Sequence, residues 1–537
     1  MSGRGRAAAS YDVVIVGSGF GGAVAACRLS AAGRSVLVLE RGRRWDPATF
    51  PRRLRDPWLF DGRVPHRRNG WLEVRWLDQM LVGLGAGVGG GSLIYANVCI
   101  DARPETFRSG WPSAITAAEL EPHYRAVGEM LRPTTVPEGQ HPVRLDLMRR
   151  AAGELEDGAR FRKVPLAVSF REDLVLDGAA PPGLGASMEF LNAHGVRQGT
   201  CVHCGSCDVG CPVRAKNTLD MNYLAEAENS GNATISPLSL VRTLSREPGG
   251  GWRVHYDHLE DGRRRPDSVV ARRVILAAGS LGTTELLLRA RDDYGTLPGL
   301  PRALGRGWSS NGDFLTPSRH RGQVVAPTVG PTITSAIDHL DGDRGRRYFV
   351  EDGGLPNLFR NAYEARLRGG GGTSWQRWYW ERLARAGELR TVMPWFGQSI
   401  DAADGVFRLR RSRVRPRRKV MKLNWNPYRT ETVIVAMAAE HERLAKATGG
   451  DVLPLASWKW LRALATPHPL GGCNMAAAPG AGVVDHAGRV FGHDGLYVMD
   501  GSVIPRAIGR NPSKTIAAVA ERAVALLLEE PEQRRIE

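Results

Sequence analysis

An α/β fold follows from three features near the start of this 537-residue chain. Residues 11–16 (YDVVIV) are an apolar, β-branched run; a glycine-rich turn leads into a helix-like segment, Gly21–Gly33; and a second apolar run, SVLVLE at 35–40, closes a β-α-β unit. Strands this uniformly apolar suit a parallel sheet covered on both faces.

The turn reads Gly17-Ser18-Gly19-Phe20-Gly21-Gly22, a G-x-G-x-x-G pattern directly after a strand. Gly17 permits the tight turn, Gly19 lets backbone approach a pyrophosphate, and Gly22 lets helix pack closely on strand. Phe20 stands at the head of that helix, whose N-terminus favours phosphate charge. Glu40 ends the second strand, where a carboxylate can accept ribose hydroxyls. Together these predict a Rossmann-like dinucleotide site. Further sheet strands are expected at 269–279 (VVARRVILAAG) and 495–500 (GLYVMD), and a helix over 513–530. The β-α-β unit does not separate FAD from NAD. A second glycine loop, Gly85–Ser92, followed by Leu93-Ile94-Tyr95-Ala96-Asn97, suits backbone pressed against a planar ring.

Length gives a prior of roughly three to four domain-sized units. A composition of 42% hydrophobic and 24% charged residues provides for a large core. The net charge is +17, yet the arginines are scattered. Their one dense run, Arg408–Lys422, reads as a solvated hairpin, with contact to an acidic partner or membrane the lesser reading. No nucleic-acid motif is present. No uncharged apolar stretch reaches the ~18 residues of a transmembrane helix, and none of signal-peptide length precedes the first strand. The expectation is a cytoplasmic protein with reduced cysteines. GGGG at 369–372, beside Trp375, Trp378, Tyr379 and Trp380, reads as a surface insertion packed on its neighbour, with a lid or membrane-touching tip as the alternative.

Later segments occur in a telling order: AKNTLDMNYL (215–224), LAAGSLGTTELLLRARDDYGTLPGLP (276–301), GWSSNGDFLT (307–316), HPLGGC (468–473), GRVFGHDGLYVMDGSVIP (488–505) and NPSKTIAAVAER (511–522). With the second glycine loop, this ordered set resembles the glucose–methanol–choline (GMC) oxidoreductases, and within them the cholesterol oxidase branch. The resemblance is weakest over 315–455. It implies FAD, bound by a discontinuous domain of residues 1–110, 200–310 and 456–537. It also implies a substrate domain on an antiparallel sheet, residues 111–199 and 311–455. By position, Val241, Ala278 and Gly279 line the adenosine side, and Gly89, Gly90, Ser92 and Asn97 approach the flavin. Asp500 and Gly501, with Pro512, hold the pyrophosphate–ribityl region and the pyrimidine edge of the ring.

The implied reaction oxidises a small apolar, sterol-like or polycyclic alcohol, with oxygen or an electron-transfer partner as acceptor. An FAD-containing lyase or isomerase is the alternative. Alcohol oxidation needs a base for the hydroxyl proton, and imidazole titrates near neutrality. The motif match assigns that role to His468 at the head of HPLGGC. Asn511 would donate to the substrate oxygen, or cap the final helix. Glu351 aligns with a cholesterol oxidase glutamate that moves a proton between ring carbons; a surface carboxylate is the other reading. Tyr95 departs from the small polar residue expected in the steroid oxidase loop.

Cys201, Cys204, Cys207 and Cys211-Pro212 spell C-x2-C-x2-C-x3-C-P, the spacing of a ferredoxin run, although no second run supplies a partner cluster. Three readings stay open: an iron–sulfur cluster, a zinc knuckle using His203, or structural cysteines.

Overall fold

The computed structural model describes residues 10–52, 56–176, 181–342, 345–356, 389–412, 419–453 and 456–530. The GGGG segment and its tryptophans lie outside them.

The β-α-β unit forms as expected: β1 (Ser10–Val16), α1 (Phe20–Ala31) and β2 (Val36–Leu39). Strands β3 (Ala233–Ser236), β4 (Ser239–Arg246), β5 (Trp252–His258) and β6 (Arg265–Leu276) complete most of a seven-stranded sheet, ordered β3-β2-β1-β6-β5-β4. β3, β2, β1 and β6 run parallel, whereas β6, β5 and β4 are antiparallel. The long β6 serves two neighbours on one edge: its first half pairs β5, and Val274–Leu276 pair the strand Leu496–Val498 in parallel. Every residue of Val13–Val16 and of β2 is buried, as doubly covered strands require. α1 packs on the C-terminal helix Ser513–Glu529, joined by an Arg28–Glu521 ion pair at 2.8 Å. Helix α2 (Gly279–Asp292) follows β6.

A second, six-stranded sheet is antiparallel throughout. It holds β7 (Phe314–His320), β8 (Ser335–Asp338), β9 (Tyr348–Asp352), β10 (Val392–Ser399), the short strand Phe161–Lys163 and β11 (Gly450–Val452), ordered β11-β7-β10-β9-β8 with 161–163 at the edge. The period-2 alternation of strands assigns its faces. Phe314 stacks on His441 and Thr316 bonds it, so both face helix α3 (Glu431–Ala447). Leu315, between them, points to the opposite face with its cross-strand partner Phe396. The expected α/β fold with an antiparallel second sheet is what forms.

Within Arg408–Lys422, strands Gly405–Arg411 and Lys419–Asn424 pair as a hairpin with Arg408, Arg410 and Arg411 exposed; its tip lies outside the described residues. No helix among the described residues is long and apolar enough to cross a membrane.

Candidate functional site

One cavity of about 1050 Å³ runs from the C-terminal ends of β1, β2, β6 and Leu496–Val498 to the inner face of the second sheet. Ligands of open α/β sheets bind at such strand ends. Its dinucleotide end is built by close backbone approach. Gly17 has φ +97°, and a Cβ there would sit 2.5 Å from Ala277 O; one on Gly22 would sit 2.1 Å from Gly17 O. A Cβ on Gly19, by contrast, would meet nothing within 4 Å, and the N-terminus of α1 has no side-chain cap. Free N–H groups facing open space are what a pyrophosphate needs. The second glycine loop leans on the first, since a Cβ on Gly90 would meet Gly19 Cα at 2.6 Å.

Glu40 is buried on the cavity wall and accepts from Ser18 N (3.1 Å), Ser18 Oγ (2.7 Å) and Gly42 N (2.9 Å). Asp500, also on the wall, accepts from Gly279 N (2.9 Å) and Thr283 Oγ1 (2.5 Å) on one oxygen and from Ser502 on the other. Phe20, Val241, Ala278, Gly279, Gly501 and Pro512 share that wall. Gly89 and Ser92 stand behind it: Ser92 Oγ donates to Gly89 O (2.7 Å) and accepts from Leu219 N (3.1 Å), shaping the loop. Asn97 is fully buried with neither side-chain polar atom partnered.

At the other end His468 and Asn511 both line the cavity. The strand Leu464–Thr466 runs parallel to Met80–Gly85, pairing Thr466 with Val82, which delivers His468 and the second glycine loop to the same place. His468 N donates to Thr466 Oγ1 (2.9 Å), and its Nδ1 lies 3.1 Å from each Asp313 oxygen. The loop before Asn511 is held by Asn311, which accepts from Ile508 N and Gly509 N (2.9 Å each) and donates to Arg510 O (2.8 Å). Asn511 does not cap the final helix: no side chain caps that N-terminus, and Asn511 Oδ1 is buried without a partner.

Glu351 shares the register of Phe396 on the cavity face, yet lies off the wall and is fully buried. It accepts from Gln398 Nε2 (2.8 Å) and bonds the Asn511 side chain. Burial, reinforced by the Asp352 charge, raises its carboxyl well above the usual carboxylate range. The surface reading of Glu351 does not hold. The cavity wall includes the apolar side chains of Ile94, Val98, Leu315, Ile333, Leu355 and Phe396, and the Phe396 ring lies 5.8 Å from that of His468. Tyr95 joins them, its hydroxyl donating to Asn217 O (2.6 Å).

The four clustered cysteines form no disulfide. Burial pushes three of the thiols up, Cys204 to about 12 and Cys201 and Cys207 in the same direction. No three ligand atoms among these cysteines and His203 lie within 4.8 Å of one another. His203 Nε2 meets Gln140 Oε1 at 2.9 Å, and its Nδ1 is buried without a partner. Fully buried Lys216 donates to Cys207 O (2.7 Å), Tyr95 O (2.8 Å) and Leu93 O (3.1 Å), binding the cysteine loop to the second glycine loop. Asp208 and Val209, inside the run, line the cavity.

Asp313, Thr466, Asn311 and Gln398 escaped the sequence reading. The segment GWSSNGDFLT contains two of them, Asp313 and Asn311, but gave neither a role.

Models of the GMC oxidoreductase family match residues 11–290 and 404–520. A cholesterol oxidase of Acinetobacter baumannii is 31% identical, over 96% of this chain and 94% of that one. A cholesterol oxidase of Mycobacterium tuberculosis is 32% identical, over 96% and 91%. In fold, the chain is similar to a solved pyridoxine 4-oxidase from Mesorbium loti (TM-score 0.64, 17% identity, covering 97% of this chain and 100% of that one).

Proposed function

The chain belongs to the GMC oxidoreductase family as an FAD-dependent alcohol oxidoreductase, and we propose that it oxidises an apolar, sterol-like or polycyclic alcohol with His468 as the base. One observation carries this reading: His468 and Asn511 line the same mostly apolar cavity, which is continuous with the dinucleotide cradle. FAD bound there supplies the hydride acceptor, flavin N5. Gly17, Gly19, Phe20, Gly22 and Glu40 hold its adenosine–pyrophosphate half, with Val241, Ala278 and Gly279; Gly89, Gly90, Ser92, Asn97, Asp500, Gly501 and Pro512 frame the rest. His468 Nε2 takes the hydroxyl proton while the Asn511 amide donates to the same oxygen, holding the carbinol in one orientation. Glu351, behind Asn511, keeps that amide in place and is the base that would take up and return a proton in a product bearing a ring double bond. Apolar walls exclude water from the reacting centre. On this reading 1–110, 200–310 and 456–537 form the FAD-binding domain, and 111–199 and 311–455 the substrate domain.

The names of the two relatives described above support a sterol, since each is a cholesterol oxidase. Anaerobic mixing with a panel of cholesterol, a terpenoid alcohol and a long-chain alcohol should bleach the yellow flavin with at least one of them. Product formed while the flavin stays oxidised throughout the panel would establish the lyase or isomerase instead.

We also propose that Cys201, Cys204, Cys207 and Cys211 hold an iron–sulfur cluster, supported by their spacing and by the buried Lys216 cation beside them. Such a group would supply one-electron chemistry. Protein purified without oxygen should contain iron and acid-labile sulfide, with dye-linked activity above the oxygen-linked rate. Iron-free protein that makes peroxide rapidly in air would leave structural thiols and oxygen as the acceptor.

A further inference from the structure

His468 rests against a buried acid. Asp313, 1% exposed, offers both oxygens at 3.1 Å to Nδ1, and Thr466 Oγ1 lies 2.6 Å from Asp313 Oδ2. The turn that carries Asp313 is fixed from behind. Asp401 accepts from Ser309 Oγ (2.7 Å), Ser310 N (2.8 Å) and Ser310 Oγ (3.0 Å), and a Cβ on Gly312 would strike Ser399 Oγ at 2.1 Å. Among the described residues His468 is the only basic side chain paired with Asp313. The other titratable groups around the pair are Asp401, bound within the turn, and Glu351, whose protonated state the Asp313 charge favours. Asp313 lies between the two stretches that match the family models.

A carboxylate only accepts hydrogen bonds, so Nδ1 must carry the ring proton and Nε2 must present its lone pair. We propose that Asp313 is a positioning residue for the base. It fixes His468 as the Nδ1–H tautomer and stabilises the positive charge that the ring gains. In the step it serves, the substrate O–H bond breaks and an Nε2–H bond forms. The Nδ1 proton stays on the ring, and the carbinol hydrogen leaves with its electron pair to the flavin. The inference rests on the reading of His468 as the base.

The test is Asp313→Asn in flavin-loaded enzyme, assayed with the panel alcohol that bleaches the wild-type flavin. The amide is isosteric but uncharged. The expected result is unchanged flavin content and KM, with kcat lower by about 10²-fold or more. A purely structural role would raise KM or empty the flavin site as well. Activity within about threefold of wild type overturns the proposal. Should Asp313→Asn not load flavin, Thr466→Val removes the hydroxyl at Oδ2 and keeps the carboxylate. A kcat loss of about tenfold with flavin bound supports the proposal, and wild-type kcat overturns it. His468→Ala separates the two claims: if that variant is slow while Asp313→Asn is not, only Asp313 is wrong; if both are fast, the base itself is misassigned.

Discussion

Replacing His468 with alanine should lower the rate of flavin reduction by about 10²–10⁴ while FAD stays bound, the usual worth of a positioned acid–base group. The backbone does not need the imidazole. Ser309 and Leu470 exchange a pair of 3.0 Å hydrogen bonds that hold the loop, and Gly471 N donates to Gly501 O at 2.9 Å. The cradle residues around Gly17–Phe20, Gly90 and Asp500–Gly501 belong to other segments. The loss should therefore appear in stopped-flow reduction and not in the flavin absorbance per protein. The wild-type rate should fall toward acid pH, since only neutral imidazole accepts a proton. A variant that reduces its flavin within about threefold of wild type would remove His468 from the chemistry.

Gly21→Ala is expected to abolish flavin loading and to destabilise the fold by about 3 kcal/mol, the upper end for overpacking. Its Cβ would lie 1.6 Å from Met499 O. Neither partner can withdraw: Met499 N donates to Leu276 O at 2.9 Å, and Asp500 next to it is bound to Gly279, Thr283 and Ser502. The methyl must push α1 off the chain that carries Asp500, opening the cradle between them. Gly153→Ala is the matched control, because its Cβ meets nothing within 4 Å on an exposed helical face and should be neutral or stabilising by up to ~1 kcal/mol. Flavin content and the thermal midpoint report the difference; a loaded Gly21→Ala protein melting with wild type contradicts the geometry.

Both residues illustrate what a sequence discloses. The β1-turn-α1-β2 unit was legible because its meaning is local: strand, glycine spacing and Glu40 lie within one short stretch and obey fixed periodicities. Gly21 was passed over there, because its constraint comes from Met499, at the far end of the chain. Asp313 was invisible for the same reason. It meets His468 from a different sheet, and no spacing rule connects them. Glu351 was placed by resemblance, but its burial behind Asn511 and Gln398 depends on the β9–β10 register, which sequence does not state. The antiparallel sheet itself was expected only by analogy, since strands of 311–455 are interrupted by loops and carry weak patterning.

The double pairing of β6 has a consequence for biosynthesis. Val14, Val274 and Leu496 stand on three adjacent strands, so the crevice is closed by chain ends synthesised far apart in time. Until the last strand emerges from the ribosome, the second half of β6 offers an open edge, which is prone to pair with other chains. Nascent protein should therefore be unable to retain its cofactor until residues 496–498 have been made. Chains cut short before residue 496 should be found with aggregates and chaperones, colourless, rather than as flavinated fragments.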